Sequence, residues 1–117
     1  MIRHVVMFKF KEEADGRSKA ENVAITMEML EKLPSYIPQI KHTELHTNCN
    51  EVGEFDYDLL LISDFESIEA MNEYLVHPKH KEVGAFMRPV RISRACIDFE
   101  YYGKDCFCSP FYYFYHL

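Results

Sequence analysis

Tyr57–Phe65, reading Tyr-Asp-Leu-Leu-Leu-Ile-Ser-Asp-Phe, is the stretch that most limits what this chain can become. It has the length of a strand, yet Leu59, Leu60, Leu61 and Ile62 follow one another without alternation, so both faces of that strand require burial. At 117 residues the chain makes a single core and leaves no room for a second full domain. Helices on one side of a single sheet cover only one of its faces. The other face calls for a second sheet, most simply from another copy of the chain, and a homodimer is the expectation.

The segments around this run fall into a recognisable order. Ile2, His4, Val6, Phe8 and Phe10 share one side of an N-terminal strand, which places His4 on an otherwise apolar face towards a core or cavity. A polar connection with Asp15-Gly16 follows, and Ser18-Lys19-Ala20-Glu21 has the pattern of a capping box. From there Ala20, Val23, Ala24, Met27, Leu30 and Leu33 trace the buried stripe of a helix. Pro34 predicts its end near Lys32. Ile40 to Thr47, polar on both sides, reads as a wet or edge strand.

Beyond Tyr57–Phe65, Ser67 can cap a helix with Ile68, Met71, Tyr74 and Leu75 inward. His77-Pro78 breaks it and opens a second short helix running to about Arg88. On that second helix His80, Val83 and Met87 share a face. A last strand alternates Ala95, Ile97, Phe99 and Tyr101 with Arg94, Cys96, Asp98 and Glu100. Strand, helix, strand, strand, split helix, strand predicts an α+β fold, a ferredoxin-like antiparallel sheet with helices on one face. The boundaries are residues 1–102 for this domain and 103–117 for an aromatic tail.

Composition removes several classes of function. A formal net charge of −6 argues against a surface that neutralises phosphates, so neither nucleic acid nor an anionic membrane is an expected partner. The N-terminal residues lack the apolar region of a signal peptide, and no run of about 18 apolar residues occurs. A cytoplasmic location is expected, with Cys49, Cys96, Cys106 and Cys108 as free thiols. No Gly-rich phosphate loop, Gly-x-Ser-x-Gly elbow or nucleophilic cysteine motif is present.

His4-Val5-Val6-Met7-Phe8-Lys9-Phe10-Lys11, the Tyr57–Phe65 strand with its following helix, Tyr74 to His80 with a His-Pro-x-His signature, and the final strand together resemble the stress-responsive dimeric α/β-barrel domain family. The resemblance covers roughly residues 2 to 102. It implies a homodimer in which two sheets face each other to form a barrel. It is also similar to the olivetolic acid cyclase type, a cofactor-free enzyme of the same fold in which a tyrosine and a histidine near the broken helix act on substrate. The matching positions are Tyr74 and His80, with His4 matching a further histidine on the first strand.

These residues admit three readings. An imidazole can take a proton near neutral pH while a phenol donates one or holds an enolate oxygen, which would serve a cofactor-free cyclase, isomerase or monooxygenase. The same cavity can instead bind a small organic ligand without chemistry. Or His77 or His80 caps a helix, Tyr74 bonds to backbone and His4 is a satisfied core residue in a purely structural, stress-protective dimer. No metal or other cofactor is expected: Cys106-x-Cys108 with His116 lacks a second pair, and His42, Glu44 and His46 alternate on a wet strand. The tail from Gly103, dense in aromatics, is expected to pack as an arm over its own sheet or, preferably, a partner copy, or to close the cavity as a lid.

Overall fold

The N-terminal alternation becomes β1 (Ile2–Phe10), whose even-numbered residues are buried. A computed structural model describes residues 1–49, 53 and 56–102. After β1 come a small hairpin of β2 (Glu13–Ala14) and β3 (Arg17–Ser18), then helix α1 (Lys19–Tyr36) and strand β4 (His42–Thr47). Strand β5 (Leu59–Phe65), helices α2 (Ile68–Val76) and α3 (Pro78–Met87) and strand β6 (Arg91–Glu100) complete the order. The main sheet is antiparallel throughout in the order β4-β5-β1-β6, so Ile40–Thr47 does contain an edge strand. The helices lie on one face of it, in a ferredoxin-like α+β arrangement.

The core fills the space between that face and the helices. Val6, Phe8 and Phe10 of β1 meet Leu59, Leu61 and Phe65 of β5 beneath Leu30, Leu33, Met71, Val83 and Met87 of the helices. Each such side chain contributes about 1.5–3 kcal/mol through removal from water. Among the described residues no helix lies over the opposite face. There Val5 stands beside Ile62 and Ile97, and Met7 beside Leu60 and Ala95. Ile97 is 62% exposed and Leu60 and Ile62 are half-buried, so the second face of the Leu59–Ile62 run is open to a further layer. At one end of this face Arg3 holds Asp64 with two parallel bonds, at 2.8 and 3.0 Å, under a stacking contact to Tyr101.

Helix α1 departs from expectation at its end and on its buried face. It continues through Pro34 to Tyr36 rather than stopping near Lys32. Burial of Leu33 and Ile37 holds the last turn in place. Ser35 donates to the Lys32 carbonyl and the Ile37 amide donates to Leu33, so carbonyls near the proline keep partners. Of the expected stripe Leu30 and Leu33 are buried and Val23 and Met27 pack partly buried against the core, but Ala20 and Ala24 face solvent and Asn22 and Thr26 are buried beside the leucines. Asn22 and Thr26 are polar residues sealed by bonds. Asn22 accepts from Arg17 Nε at 2.7 Å and donates to the Ala14 carbonyl, while Thr26 donates to the Asn22 carbonyl. The two Asn22 bonds dock the β2–β3 hairpin, whose turn residues Asp15 and Gly16 take positive φ values of 53° and 77° as a tight two-residue turn requires.

Ile68 of α2 is a further correction, because it is 56% exposed and takes no part in the core. Among the described residues no helix is long and apolar enough to cross a membrane. Cys49 and Cys96 are free thiols. Cys106, Cys108, His116 and the proposed packing or lid role of the aromatic tail lie outside the described residues.

Candidate functional site

The break between α2 and α3 decides which histidine is free to do chemistry. His77 is extended (φ −64°, ψ 136°) and serves both helices, as the end of α2 and the N-cap of α3, with Pro78 in the first turn where no amide is needed. Its Nδ1 accepts from the Lys79 amide at 3.1 Å. Capping therefore falls to His77, and His80, one turn later, points towards the sheet.

His80 Nδ1 lies 3.1 Å from the carbonyl oxygen of Leu75, one of the carbonyls left over at the end of α2. A carbonyl only accepts, so Nδ1 carries the proton and Nε2 keeps its lone pair. Burial lowers the basicity of this imidazole; the Leu75 bond works against that shift, and the charges of His4, Arg94 and His77 reinforce it. A neutral ring with an unprotonated Nε2 results.

Tyr74 stands beside it, 1% exposed, with its ring 4.9 Å from Phe65 and 4.5 Å from His80 between centroids. Burial pushes the phenol far above its usual range, with Arg94 pulling weakly the other way, so the hydroxyl remains a proton donor. Among the described residues that hydroxyl has no hydrogen-bond partner. It is not one of the buried unpaired polar atoms sealed from solvent, so it opens on the cavity.

His4 is 3% exposed and reaches the same space from β1, its ring 6.2 Å from that of Tyr74. Register pairs it with Asp98 of β6, and its Nδ1 bonds the Asp98 carboxylate. Cys96 Sγ lies 3.8 Å from the same nitrogen, which gives His4, Cys96 and Asp98 ligand atoms within 4.8 Å of one another. Burial and the Asp98 charge push the Cys96 thiol up, with Arg94 opposing. The cluster is better described as an imidazole pinned by a carboxylate.

The structure thus brings all three expected residues, His4, Tyr74 and His80, to one cavity of about 210 Å³ between sheet and helices. Val6, Phe8, Leu61, Val83 and Met87 supply its apolar wall. Arg88, Arg91 and Arg94 also line it, and sequence reasoning passed over them. The available signal was the alternation that sets Arg94 on the same side as Cys96 and Asp98. Two wider grooves of about 400 and 380 Å³ flank β4, but they are more open and contain no buried titratable group. On β4 itself His42 and His46 both bond Glu44, at 2.9 and 3.3 Å, and hold its carboxyl below the usual range.

Similar folds recur among solved proteins. A dimeric protein of ferredoxin-like fold and unknown function from Bacteroides fragilis is 28% identical, covers 86% of this chain and 95% of its own, and superposes with a TM-score of 0.70. A protein from Arabidopsis thaliana is 25% identical over 88% of this chain and 97% of its own, with a TM-score of 0.72. A hydroxynitrile lyase from Passiflora edulis has the same fold at 15% identity, over 88% and 94% of the two chains, with a TM-score of 0.72. No match was found among proteins of curated function. The family model described as the stress responsive A/B barrel domain matches residues 2–101, and the chain belongs to that family.

Proposed function

We propose that two copies of this protein pair through their open sheet faces and that each cavity takes a small carbonyl compound, from which His80 and Tyr74 move a proton without a cofactor. One observation carries the reading: the His80 ring, its Nδ1 against the Leu75 carbonyl, and a Tyr74 hydroxyl without a partner among the described residues share one cavity. A structural tyrosine at 1% exposure would have found an acceptor. Dimerisation is supported by the apolar face formed by Val5, Leu60, Ile62 and Ile97, and by the dimeric relative from Bacteroides fragilis.

The chemistry follows from what each group can do. His80 Nε2 removes a proton from carbon next to the carbonyl, and the Tyr74 hydroxyl donates a hydrogen bond to the carbonyl oxygen as it becomes an enolate. Arg94, whose charge reaches both groups, favours the negative oxygen and disfavours a second positive charge on His80. Return of the proton to another carbon is an isomerisation. Attack of the enolate on a second carbonyl of the same molecule is a cyclisation. Cyanohydrin cleavage, the reaction class of the Passiflora edulis protein, likewise needs a base for the hydroxyl proton, and the departing cyanide then takes that proton as the carbonyl forms.

Hydrogen–deuterium exchange tests the shared first step. Proton NMR in D₂O would follow loss of the α-proton signals of 3-benzoylpropanoate and its methyl ester. Wild type is expected to accelerate exchange, His80→Gln to reduce it by about 10²-fold or more, and Tyr74→Phe to reduce it as well. Exchange no faster with wild type than with His80→Gln would remove the catalytic reading.

A further inference from the structure

In a chain of net charge −6, three guanidinium groups have no carboxylate to answer them among the described residues. Arg88 closes α3, Arg91 opens β6, and Arg94 follows three residues on, past an irregularity in the pairing with β1 that brings both strand arginines, with Arg88, to the wall of one cavity. Among the described residues none forms an ion pair with an aspartate or glutamate, although ten such contacts occur elsewhere. Burial, followed by the neighbouring charges of Arg94 and Arg88, makes the protonated form of Arg91 less favourable than usual. Arg94 also projects its charge onto Tyr74 and His80 at the other end of the space. A surface that merely needed solubility would place these charges apart, next to the many acidic residues available.

We infer that Arg91 and Arg94, with Arg88 at the rim, form a binding site for the carboxylate of an organic monoanion whose apolar body fills the cavity and whose carbonyl reaches Tyr74 and His80. The inference rests on the function proposed above and names its substrate class: a small oxo acid. A guanidinium fork matches the two oxygens of a carboxylate and orients the molecule as well as holding it. The C-terminal end of α3 lies at Arg88 and carries the negative end of that helix's dipole, which disfavours a phosphate dianion relative to a single charge. The volume of about 210 Å³ is below the roughly 300–1,000 Å³ of sites for drug-sized ligands, so the acid is small. Val6, Phe8, Leu61, Val83 and Met87 suit an aliphatic or single-ring body between the two polar ends.

Binding of 3-benzoylpropanoate, its methyl ester and its primary amide to the full chain tests this, because the three share a skeleton and a ketone and differ in charge. Titration would be followed through the His80 ring resonances, which report arrival in the cavity whatever the charge. The acid is expected to bind at least about tenfold more tightly than ester or amide, a difference of about 1.4 kcal/mol. The preference should weaken in high salt. Arg91→Gln/Arg94→Gln is expected to bind acid and ester alike. Denaturation of the same variant checks its folding; since the substitution relieves repulsion, no loss of stability is expected. Equal binding of acid and ester by wild type, with His80 responding to both, overturns the carboxylate site and leaves the cavity and its acid–base pair standing. An acid preference that survives in the double variant overturns the assignment to Arg91 and Arg94. No His80 response to any of the three near about 1 mM overturns both this inference and the function on which it rests. Tighter binding of phenyl phosphate than of the acid overturns the choice of a monoanion.

Discussion

Removing one oxygen from Tyr74 separates a structural tyrosine from a working one. A buried hydroxyl bonded to backbone contributes about 0.5–1.5 kcal/mol, and Tyr74→Phe would forfeit that amount and leave its partner unpaired. In this structure the hydroxyl has no partner among the described residues, while the ring is packed between Phe65 and His80. Phenylalanine keeps the ring. It also removes a polar group whose complete desolvation would cost about 1–3 kcal/mol; because the oxygen opens on the cavity, only a small part of that penalty is present. The expected change is between zero and about 1 kcal/mol of added stability, a rise in Tm of a few degrees at most. Urea unfolding of wild type and variant measures it, at one fixed protein concentration because the proposed subunit association would contribute to apparent stability. A loss of about 1 kcal/mol or more with an unchanged m-value would falsify the inference that the hydroxyl is held for a ligand. The same variant should lose α-proton exchange, so stability and activity are expected to move in opposite directions.

Asn22→Ala should be costly although it lies far from the cavity, since Arg17 and the Ala14 carbonyl each lose a buried partner; about 2 kcal/mol is expected, and a loss under about 0.5 kcal/mol would show that the hairpin docks by other means. Ile97→Asp places a charge on the open face where symmetry counts it twice, and size-exclusion chromatography with light scattering should find monomers; an intact dimer would move the interface elsewhere. His80, with its folded pKa lowered by burial, binds a proton more readily when unfolded. Stability should therefore fall as pH drops below about 6.5 and level off once pH is below the folded value, and His80→Gln should flatten that slope in urea titrations. At Asp64 burial alone would raise the carboxyl, but the bonds from Arg3 and Tyr101 and the charges of Arg3 and His42 outweigh it. Its contribution is present above about pH 3.9 and is lost as pH falls through the lower folded value, a window separate from that of His80.

What could be read from the residues alone follows from how locally each feature is encoded. β1 and β6 announce themselves by alternation, β5 by its unbroken apolar run, and the α2–α3 break by Pro78. The convergence of Tyr74, His80 and His4 followed from the family resemblance together with the apolar faces that carry them. The end of α1 was missed because tertiary burial of Leu33 and Ile37 outweighs the local effect of Pro34. Of its expected stripe, Val23, Met27, Leu30 and Leu33 do pack on the core; Asn22 and Thr26 escape the pattern because they are polar, Asn22 being satisfied by the β2–β3 hairpin and Thr26 by the Asn22 carbonyl of its own helix. The His4–Asp98 contact depends on the register of two strands at opposite ends of the chain. The arginine cluster depends on three residues from a helix end and a strand start meeting one cavity wall. The strand contact has no local signature, and of the arginines only Arg94 has one, in the alternation of the last strand.

The most direct measurement of the central claim is a long-range ¹H–¹⁵N correlation spectrum of the His80 imidazole at pH 7. A proton on Nδ1, held by the Leu75 carbonyl, with Nε2 unprotonated and shifting when 3-benzoylpropanoate is added, is the expected result. A proton fixed on Nε2, or a doubly protonated ring at that pH, would contradict the account, because His80 would then have no lone pair to offer a ligand in the cavity.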